Sequence, residues 1–353
     1  MNAFLGRSLL LACVLLVGPD RLESQEAYFP VSDATWERAT PSSLSWDNTK
    51  IEEVCDFIQE TQGKSFLILK DGKIVVERYW TDAGPTHSQY VMSSGKSITA
   101  FLVGIAKRQN KLKLDQPVSD FLGTGWSKAS TAQENAIQIK HLLAMTSGLN
   151  PKLEYEGPPG SIWRYNTEAY QQLHPLLEKA VGTSMQEFSR MSLFEPLGMT
   201  NSRFRFHSFV MNALDMGRFG LMILEQGKWN GKNILEDQTF FDTMLQPSQT
   251  LNRSYGYLWW LNGQESYRPV GRQRIVVPGP LVPSAPPDMV SANGKGGQRI
   301  YVVPSLRLVV IRLGDNPALR NFNSRDTLSD GTQSKFDEQL WSKLIPAMAI
   351  TSN

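Results

Sequence analysis

The strand-like segments of this chain lie near its two ends, and the segments between them are helical. Two β-rich runs flank Asp71-Gly72 in SFLILKDGKIVVERYW, and two more flank Pro304-Ser305 in QRIYVVPSLRLVVIRLG. Asp-Gly between β-rich runs is typical of a hairpin turn. From about 100 to 250, apolar residues recur with the spacing of amphipathic helices. The pattern predicts an α+β fold in which the two ends build one layer and a helical region is inserted between them.

The 353 residues are enough for one large domain with a sizeable core. We place that domain at 26–353, with an α/β part at about 26–92 and 251–353 and a helical part at about 93–250. HLLAMTSGL predicts a helix that ends at Gly148, and TEAYQQLHPLLEKAVG predicts a helix kinked or broken at Pro175. YGYLWWL predicts a short strand, and SKFDEQLWSKLIPAM predicts a closing helix.

The first 25 residues have the composition of a signal peptide. Arg7 precedes the apolar run SLLLACVLLVG, which ends before Pro19 and is too short to span a bilayer. We therefore expect export to the periplasm or the medium, with no stable membrane insertion after processing. A buried N-terminal helix is the alternative, and LLAC leaves open a lipid anchor at Cys13.

The charged residues and the possible metal ligands exclude several classes of function. The chain has 36 basic and 34 acidic residues and no basic run, which disfavours a nucleic acid partner. Its four histidines are scattered, which disfavours a zinc site. Removal of a signal peptide would leave Cys55 alone, without a disulfide partner, and its helical context predicts a buried core residue.

A serine stands three residues before a lysine at the start of the apolar helical pattern GKSITAFLVGIA. Residues i and i+3 share one face of a helix, so Ser93 and Lys96 can touch. A serine hydroxyl needs a base before it becomes a good nucleophile, and burial lowers the pKa of a lysine toward the range in which it acts as one. A surface pair is the simpler interpretation of the spacing alone, but Ser93 is the only serine of this chain with a lysine at the third following position.

Several further segments match motifs of one enzyme superfamily. They are HLLAMTSGL, PPGSIWRYNTEAYQQL, LFEPLGM, ALDMGRFGLMIL, YGYLWW and SANGKGGQRIYVVP. Together with Ser-x-x-Lys, they resemble the β-lactamase-like serine hydrolases, which include class C β-lactamases, penicillin-binding DD-peptidases, related esterases and 6-aminohexanoate-oligomer hydrolases. The match runs from about Lys64 to Leu313 in the family's order. The resemblance implies a mainly antiparallel sheet flanked by helices.

The resemblance also implies a mechanism. Ser93 would form an acyl-enzyme, and Lys96 and Tyr165 would shuttle its proton. The backbone N–H groups of Ser93 and Lys295 would form the oxyanion hole. The expected substrate is a small-molecule ester, amide or peptide, and no cofactor or metal is expected. The alternatives are a β-lactamase or DD-peptidase and, in another class, a non-catalytic receptor on the same fold.

Two motifs depart from the family's pattern. Thr167 stands where the family's Tyr-x-Asn has asparagine, although its hydroxyl can still hydrogen-bond Lys96. Ala292, Asn293 and Gly294 stand where the family has Lys- or His-Thr-Gly. We include Thr167, Asn293 and Gly294 among the substrate-binding or supporting residues. Because Ala292 has no charge to hold a substrate carboxylate, we expect neutral esters or amides to be preferred over β-lactams.

Residues 262–288 form a long segment without periodicity. They include six prolines and three arginines. A loop of this length in a compact domain is usually functional or disordered. We expect it to lie over the mouth of the active site and to shape substrate choice, and its arginines offer a replacement site for an anion.

Overall fold

The structure, a computed structural model, describes residues 27–315 apart from 32, 81–83 and 273, and residues 335–349. The strands are β1 (Gly63–Lys70), β2 (Lys73–Tyr79), β3 (Gln89–Tyr90), β4 (Arg203–Arg205), β5 (Ser208–Met211), β6 (Lys228–Trp229), β7 (Lys232–Asn233), β8 (Trp260–Leu261), β9 (Ser266–Tyr267), β10 (Val277–Pro278), β11 (Val290–Gly294), β12 (Gln298–Val303) and β13 (Leu308–Gly314).

The α-helices are α1 (Asn48–Glu60), α2 (Gly95–Arg108), α3 (Ser119–Leu122), α4 (Thr131–Asn135), α5 (Ile139–Leu143), α6 (Thr167–Gln171), α7 (Leu173–Val181), α8 (Met185–Ser189), α9 (Glu195–Leu197), α10 (Ala213–Leu224), α11 (Gln238–Met244) and α12 (Lys335–Ala347). Short 3-10 turns lie at Ser42–Leu44, Met92–Ser94 and Pro304–Leu306, and a π-helical turn lies at Arg190–Phe194.

The main sheet is antiparallel and has the strand order β2-β1-β13-β12-β11-β8. Its central pairing joins the two ends of the chain, since β1 pairs with β13 from Gly63↔Gly314 to Lys70↔Leu308. Both predicted hairpins are confirmed as β1–β2 and β12–β13. The α+β layer built from the chain ends, with a mainly antiparallel sheet flanked by helices, is therefore confirmed.

Helices cover both faces of this sheet. Along β12, Arg299 and Tyr301 reach Asp337 of α12, whereas Ile300 lies under Gly220 of α10. Successive side chains of a strand point to opposite faces, so α12 and α10 lie on opposite sides. Helix α1 packs beside α12 and places Cys55 in the core, as its helical context predicted.

The inserted region is mostly helical, with some local differences from the sequence prediction. The helix predicted to end at Gly148 ends at Leu143 instead, because Met145 has φ 58 and this left-handed backbone stops the helix. The break that Pro175 predicted lies at Gln172, between α6 and α7, because the proline has no N–H to donate to the carbonyl of Gln171. The strands β4 to β7 lie within this region, and only the last two residues of YGYLWWL form a strand.

The predicted signal peptide at 1–25, with Cys13, lies outside the described residues. Among the helices that the structure describes, none combines the length and apolar character needed to cross a bilayer. The 262–288 loop contains the short β9–β10 ladder, in which Val277 is opposite Tyr267.

Close packing of α10 on the sheet depends on glycine. A Cβ at Gly220 would lie 2.5 Å from Cγ1 of Val309 on β13. We expect Gly220→Val to lower the free energy of unfolding by about 1–3 kcal/mol through overpacking, measured by urea denaturation. Gly84→Val is the matched control, since no atom of the described residues outside its own chain neighbours lies within 4 Å of its Cβ position. Equal stability of both variants would contradict this account of the packing.

Candidate active site

Ser93 lies in the 3-10 turn Met92–Ser94, between β3 and α2. Met92 has φ 52, a left-handed conformation that is uncommon outside glycine. Two contacts hold the turn: Val91 N donates to Phe209 O at 3.0 Å, and Ser94 Oγ donates to Val91 O at 2.5 Å. The backbone therefore turns sharply at Ser93 and leaves its side chain partly exposed at the head of α2.

Lys96 meets Ser93 from the first turn of α2. Its Nζ lies 3.2 Å from Ser93 Oγ, which confirms the contact expected from their spacing. The residue is only 4% exposed, because α2 is buried from Gly95 to Ala106. Burial lowers the pKa of Lys96 to about 7, against a smaller opposing effect of Glu168. A substantial neutral fraction, able to accept a proton, is thus present near neutral pH.

Tyr165 reaches the same point from the segment just before α6. Its ring stacks on Trp260 at a centroid distance of 6.0 Å and meets Tyr255 edge-on at 6.2 Å. Burial raises its pKa to about 12, and a hydrogen bond with Ser93 opposes that rise. The structure therefore brings Ser93, Lys96 and Tyr165 together, with Tyr165 as a phenol at neutral pH.

The residues after Tyr165 shape the helix that follows. Asn166 caps α6: its Oδ1 accepts from Ala169 N at 3.1 Å, and its Nδ2 donates to Leu149 O at 2.9 Å. Thr167 is the first residue of α6. Among the described residues, no hydrogen bond joins the Thr167 hydroxyl to Lys96, a contact that its place in the motif allowed.

Tyr170 is a neighbour of Lys96 that the sequence did not reveal. Lys96 Nζ lies 4.5 Å from the ring centroid of Tyr170 and 5.2 Å from that of Tyr165. An aromatic face favours the ammonium form, which opposes the effect of burial. The Tyr170 hydroxyl lies 2.8 Å from Thr99 Oγ1 and 2.9 Å from His174 Nε2. The i,i+4 spacing of Tyr170 and His174 was the available signal, but it is equally common in helix packing.

Strand β11 closes the other side of the site. A Cβ at Gly294 would lie 2.4 Å from Val91 O and 3.1 Å from Ser94 N, so the strand touches the turn that carries Ser93. Lys295 follows directly, with an exposed side chain. In the described part of the chain, neither Ser93 N–H nor Lys295 N–H donates a hydrogen bond to protein. Both expected oxyanion-hole residues thus lie at one junction.

Ala292 and Asn293 precede this glycine on β11. Ala292 is buried, and nothing at this position supplies a charge. Asn293 is 7% exposed and lies opposite Arg299 in the β11–β12 register. Within the described residues its Oδ1 has no hydrogen-bond partner.

The long loop contributes arginines to a cleft near the aromatic residues of the site. Arg268 and Arg274 line a cleft of about 330 Å³ together with Trp163 and Arg164, the two residues before Tyr165. Trp163 meets Trp260 edge-on at 6.2 Å. Arg164 is paired with Glu156. The cleft that holds the two loop arginines is therefore connected to Tyr165 through the rings of Trp163 and Trp260.

The arrangement combines a hydroxyl, a buried amine and a phenol within contact distance. It suits proton transfer to and from a serine oxygen without a histidine. Among the residues that the structure describes, no three His, Cys, Asp or Glu side chains converge as metal ligands would.

The antiparallel sheet flanked by helices and the Ser-x-x-Lys turn beside it define a β-lactamase/transpeptidase-like fold. The Beta-lactamase family model matches residues 50–318, and the chain belongs to that family. Among solved structures it is similar to a "putative beta-lactamase from Bacteroides dorei DSM 17855", with TM-score 0.67, 17% identity, and coverage of 86% of this chain and 99% of that one. It is also similar to a "Putative 6-aminohexanoate-dimer hydrolase from Bacillus anthracis", with TM-score 0.67, 15% identity, and coverage of 91% and 88%.

A curated relative matches over a shorter region. The "Putative penicillin-binding protein PbpX" of Bacillus subtilis (strain 168) is 25% identical over 164 residues, which are 39% of this chain and 40% of that protein. The match thus spans well under half of the relative's length.

The contact between β11 and the Ser93 turn leaves no room for a side chain. We expect Gly294→Ala to lower kcat/KM for an ester by roughly 10²-fold, because a shift of about 1 Å at a reacting group has an effect of that order. Retained near-ultraviolet circular dichroism would show that the fold survives. Unchanged kcat/KM would mean that this contact does not position the site.

Proposed function

We propose that this protein is a serine hydrolase that cleaves an ester or amide bond through an acyl-enzyme at Ser93. The observation that supports this most is the 3.2 Å contact between Ser93 Oγ and a buried Lys96 whose pKa is about 7. A surface Ser-x-x-Lys pair would leave its lysine solvated and its pKa near 10.4, too high for a general base at neutral pH.

Acylation begins with neutral Lys96. It accepts the Ser93 proton as Oγ bonds to the substrate carbonyl carbon, and the carbonyl oxygen becomes an oxyanion. The N–H groups of Ser93 and Lys295 stabilise that oxyanion. Tyr165, protonated because of its raised pKa, donates a proton to the leaving oxygen or nitrogen as the bond to carbon breaks. The Lys96 ammonium then returns a proton to Tyr165, so the protons balance.

Deacylation repeats these steps with water. A water molecule gives a proton to the Tyr165–Lys96 pair and attacks the ester carbon of the acyl-enzyme. The second tetrahedral intermediate collapses, Ser93 recovers its proton, and the carboxylic acid product leaves. The aromatic packing of Tyr165 on Trp260 keeps the phenol in place through both steps.

The absence of a charged side chain at Ala292 favours neutral esters or amides as substrates. A β-lactam or a D-Ala-D-Ala peptide carries a carboxylate beside the scissile amide, and a charge-assisted hydrogen bond to that anion contributes about 1.5–3 kcal/mol. The name of the Bacillus anthracis neighbour, an aminohexanoate-dimer hydrolase, agrees with amide chemistry. β-Lactamase or DD-peptidase activity is the second candidate, favoured by the arginines at the Trp163 cleft.

Ser93→Ala should abolish turnover and labelling by a fluorophosphonate, since no other residue would replace the nucleophile. We expect unfolding free energy to change by less than about 1 kcal/mol. Ser342→Ala, at an exposed serine of α12 away from the Ser93 turn, is the control and should still be labelled. A wild-type protein that is folded but never labelled would favour a non-catalytic receptor.

The activity of the wild type should rise with pH through about 7, because Lys96 is a base only after losing its proton. Lys96→Arg stays protonated, so kcat/KM should fall by roughly 10²- to 10⁴-fold. The pH profile of the wild type and the loss of activity in Lys96→Arg are both measured as kcat/KM for an ester between pH 5 and 9. An arginine variant within tenfold of wild type would exclude Lys96 as the base.

A neutral short-chain p-nitrophenyl ester should be hydrolysed with higher kcat/KM than nitrocefin, which carries a carboxylate. The difference is expected to be roughly tenfold to a hundredfold, from the lost charge-assisted contact at position 292. Faster turnover of nitrocefin would support the β-lactamase candidate instead.

A further inference from the structure

The peptide between Gly294 and Lys295 is held from behind by a buried arginine. Arg299 Nη1 donates to Gly294 O at 2.8 Å. The same guanidinium is fixed by Asp337 of α12, with Nε–Oδ1 at 2.9 Å and Nη2–Oδ2 at 3.3 Å. Both side chains of this ion pair are at most 3% exposed. A bidentate pair of this kind leaves the guanidinium little freedom to turn.

The geometry of the peptide group then decides where the Lys295 N–H points. The described residues contain no cis peptide bond. In a planar trans peptide the C=O and N–H point in opposite directions. Because Gly294 O accepts a hydrogen bond from the Arg299 guanidinium, Lys295 N–H points away from that guanidinium. Gly294 itself contacts the turn that carries Ser93.

The carbonyl groups after Gly294 are bound in the same way. Arg312 Nη1 donates to Gly296 O at 3.0 Å and to Gly297 O at 2.9 Å. Gln298 Nε2 lies 3.3 Å from Lys295 O. Arg312 is directly opposite Arg299 in the β12–β13 register and is fully buried. Two guanidinium groups therefore lie behind this loop. Asp337 neutralises the charge of Arg299, so it is the charge of Arg312 that favours an anion in front of the loop.

We propose that Arg299 is a positioning residue for the oxyanion hole: by binding Gly294 O it orients and polarises the peptide whose N–H, at Lys295, faces the reacting carbonyl oxygen. A charged donor on the carbonyl withdraws electron density from the peptide and strengthens its N–H as a donor. The proposal rests on the proposed function, since it requires an oxyanion to form at Ser93.

The test compares an ester with the matched thionoester, in which sulfur replaces the carbonyl oxygen. A preset N–H pair should favour oxygen, since sulfur is a larger and weaker acceptor. In Arg299→Lys the charge beside Asp337 remains, but a lysine ammonium cannot hold Asp337 bidentately and also bind Gly294 O. We expect kcat for the ester to fall roughly tenfold to a hundredfold with little change in KM, and the ester-to-thionoester ratio to fall with it.

Arg218→Lys is the matched control. Arg218 is also buried, is paired with Asp33 at 2.8 Å, and donates to the carbonyl of a glycine, Gly198, at 3.2 Å. It lies on α10, so Arg218→Lys should leave the ratio at its wild-type value. If Arg299→Lys does not fold, the triple variant Arg299→Met, Tyr301→Phe and Asp337→Leu takes its place, because apolar replacement of a whole buried ionic cluster is often tolerated.

An unchanged ratio in a folded Arg299 variant would overturn the proposal, as would an equal fall in Arg218→Lys. Failure of the proposed function would look different. In that case the wild type itself would neither hydrolyse the ester nor react with a fluorophosphonate, and no ratio would exist to compare.

Discussion

The burial of one amine, that of Lys96, is the constraint on which the rest of the site depends. Helix α2 is buried along nearly its whole length, and Lys96 is enclosed with it. An isolated buried ammonium is costly, and the group responds by lowering its pKa. The aromatic faces of Tyr165 and Tyr170 compensate the remaining charged form. Burial and compensation together leave Lys96 near the midpoint of its titration at neutral pH.

That burial requires the two parts of the chain to meet closely. The sheet, made from both chain ends, supplies β11, and the helical region supplies α2 and the segment around Tyr165. Gly294 permits the contact because any side chain there would overlap the backbone at Val91. The buried arginines on β12 and β13 then hold the carbonyl groups on the far side of the same loop. Packing and electrostatics thus act on one junction from both sides.

Membership of the Beta-lactamase family and the fold of the neighbours do not decide the substrate. The two solved structures described above share 17% and 15% identity with this chain, so their likeness to it concerns the fold. The residues that differ are more informative. Ala292 supplies no charge in β11, whereas the loop arginines place charge at a cleft beside Trp163. Under the proposed function these two features favour different substrates, and only kinetic comparison separates their effects.

The two hairpins, helix α2, the Ser93–Lys96 contact and the approach of Tyr165 to that pair could be predicted from the sequence, because each depends on short-range spacing or on a motif. Helix ends were less predictable. The left-handed backbone conformation of Met145 stops α5, and a methionine side chain gives no sign of that conformation in the sequence. Thr167 and Tyr170 show the same limit. The motif allowed a hydrogen bond from the Thr167 hydroxyl to Lys96, which the described residues do not form, whereas the Tyr170 ring of α6 lies beside Lys96 of α2. The support of Gly294 by Arg299 joins adjacent strands to a helix that begins at Lys335. Contacts of this kind appear only in the folded molecule, because they depend on how distant segments pack and not on their local sequence.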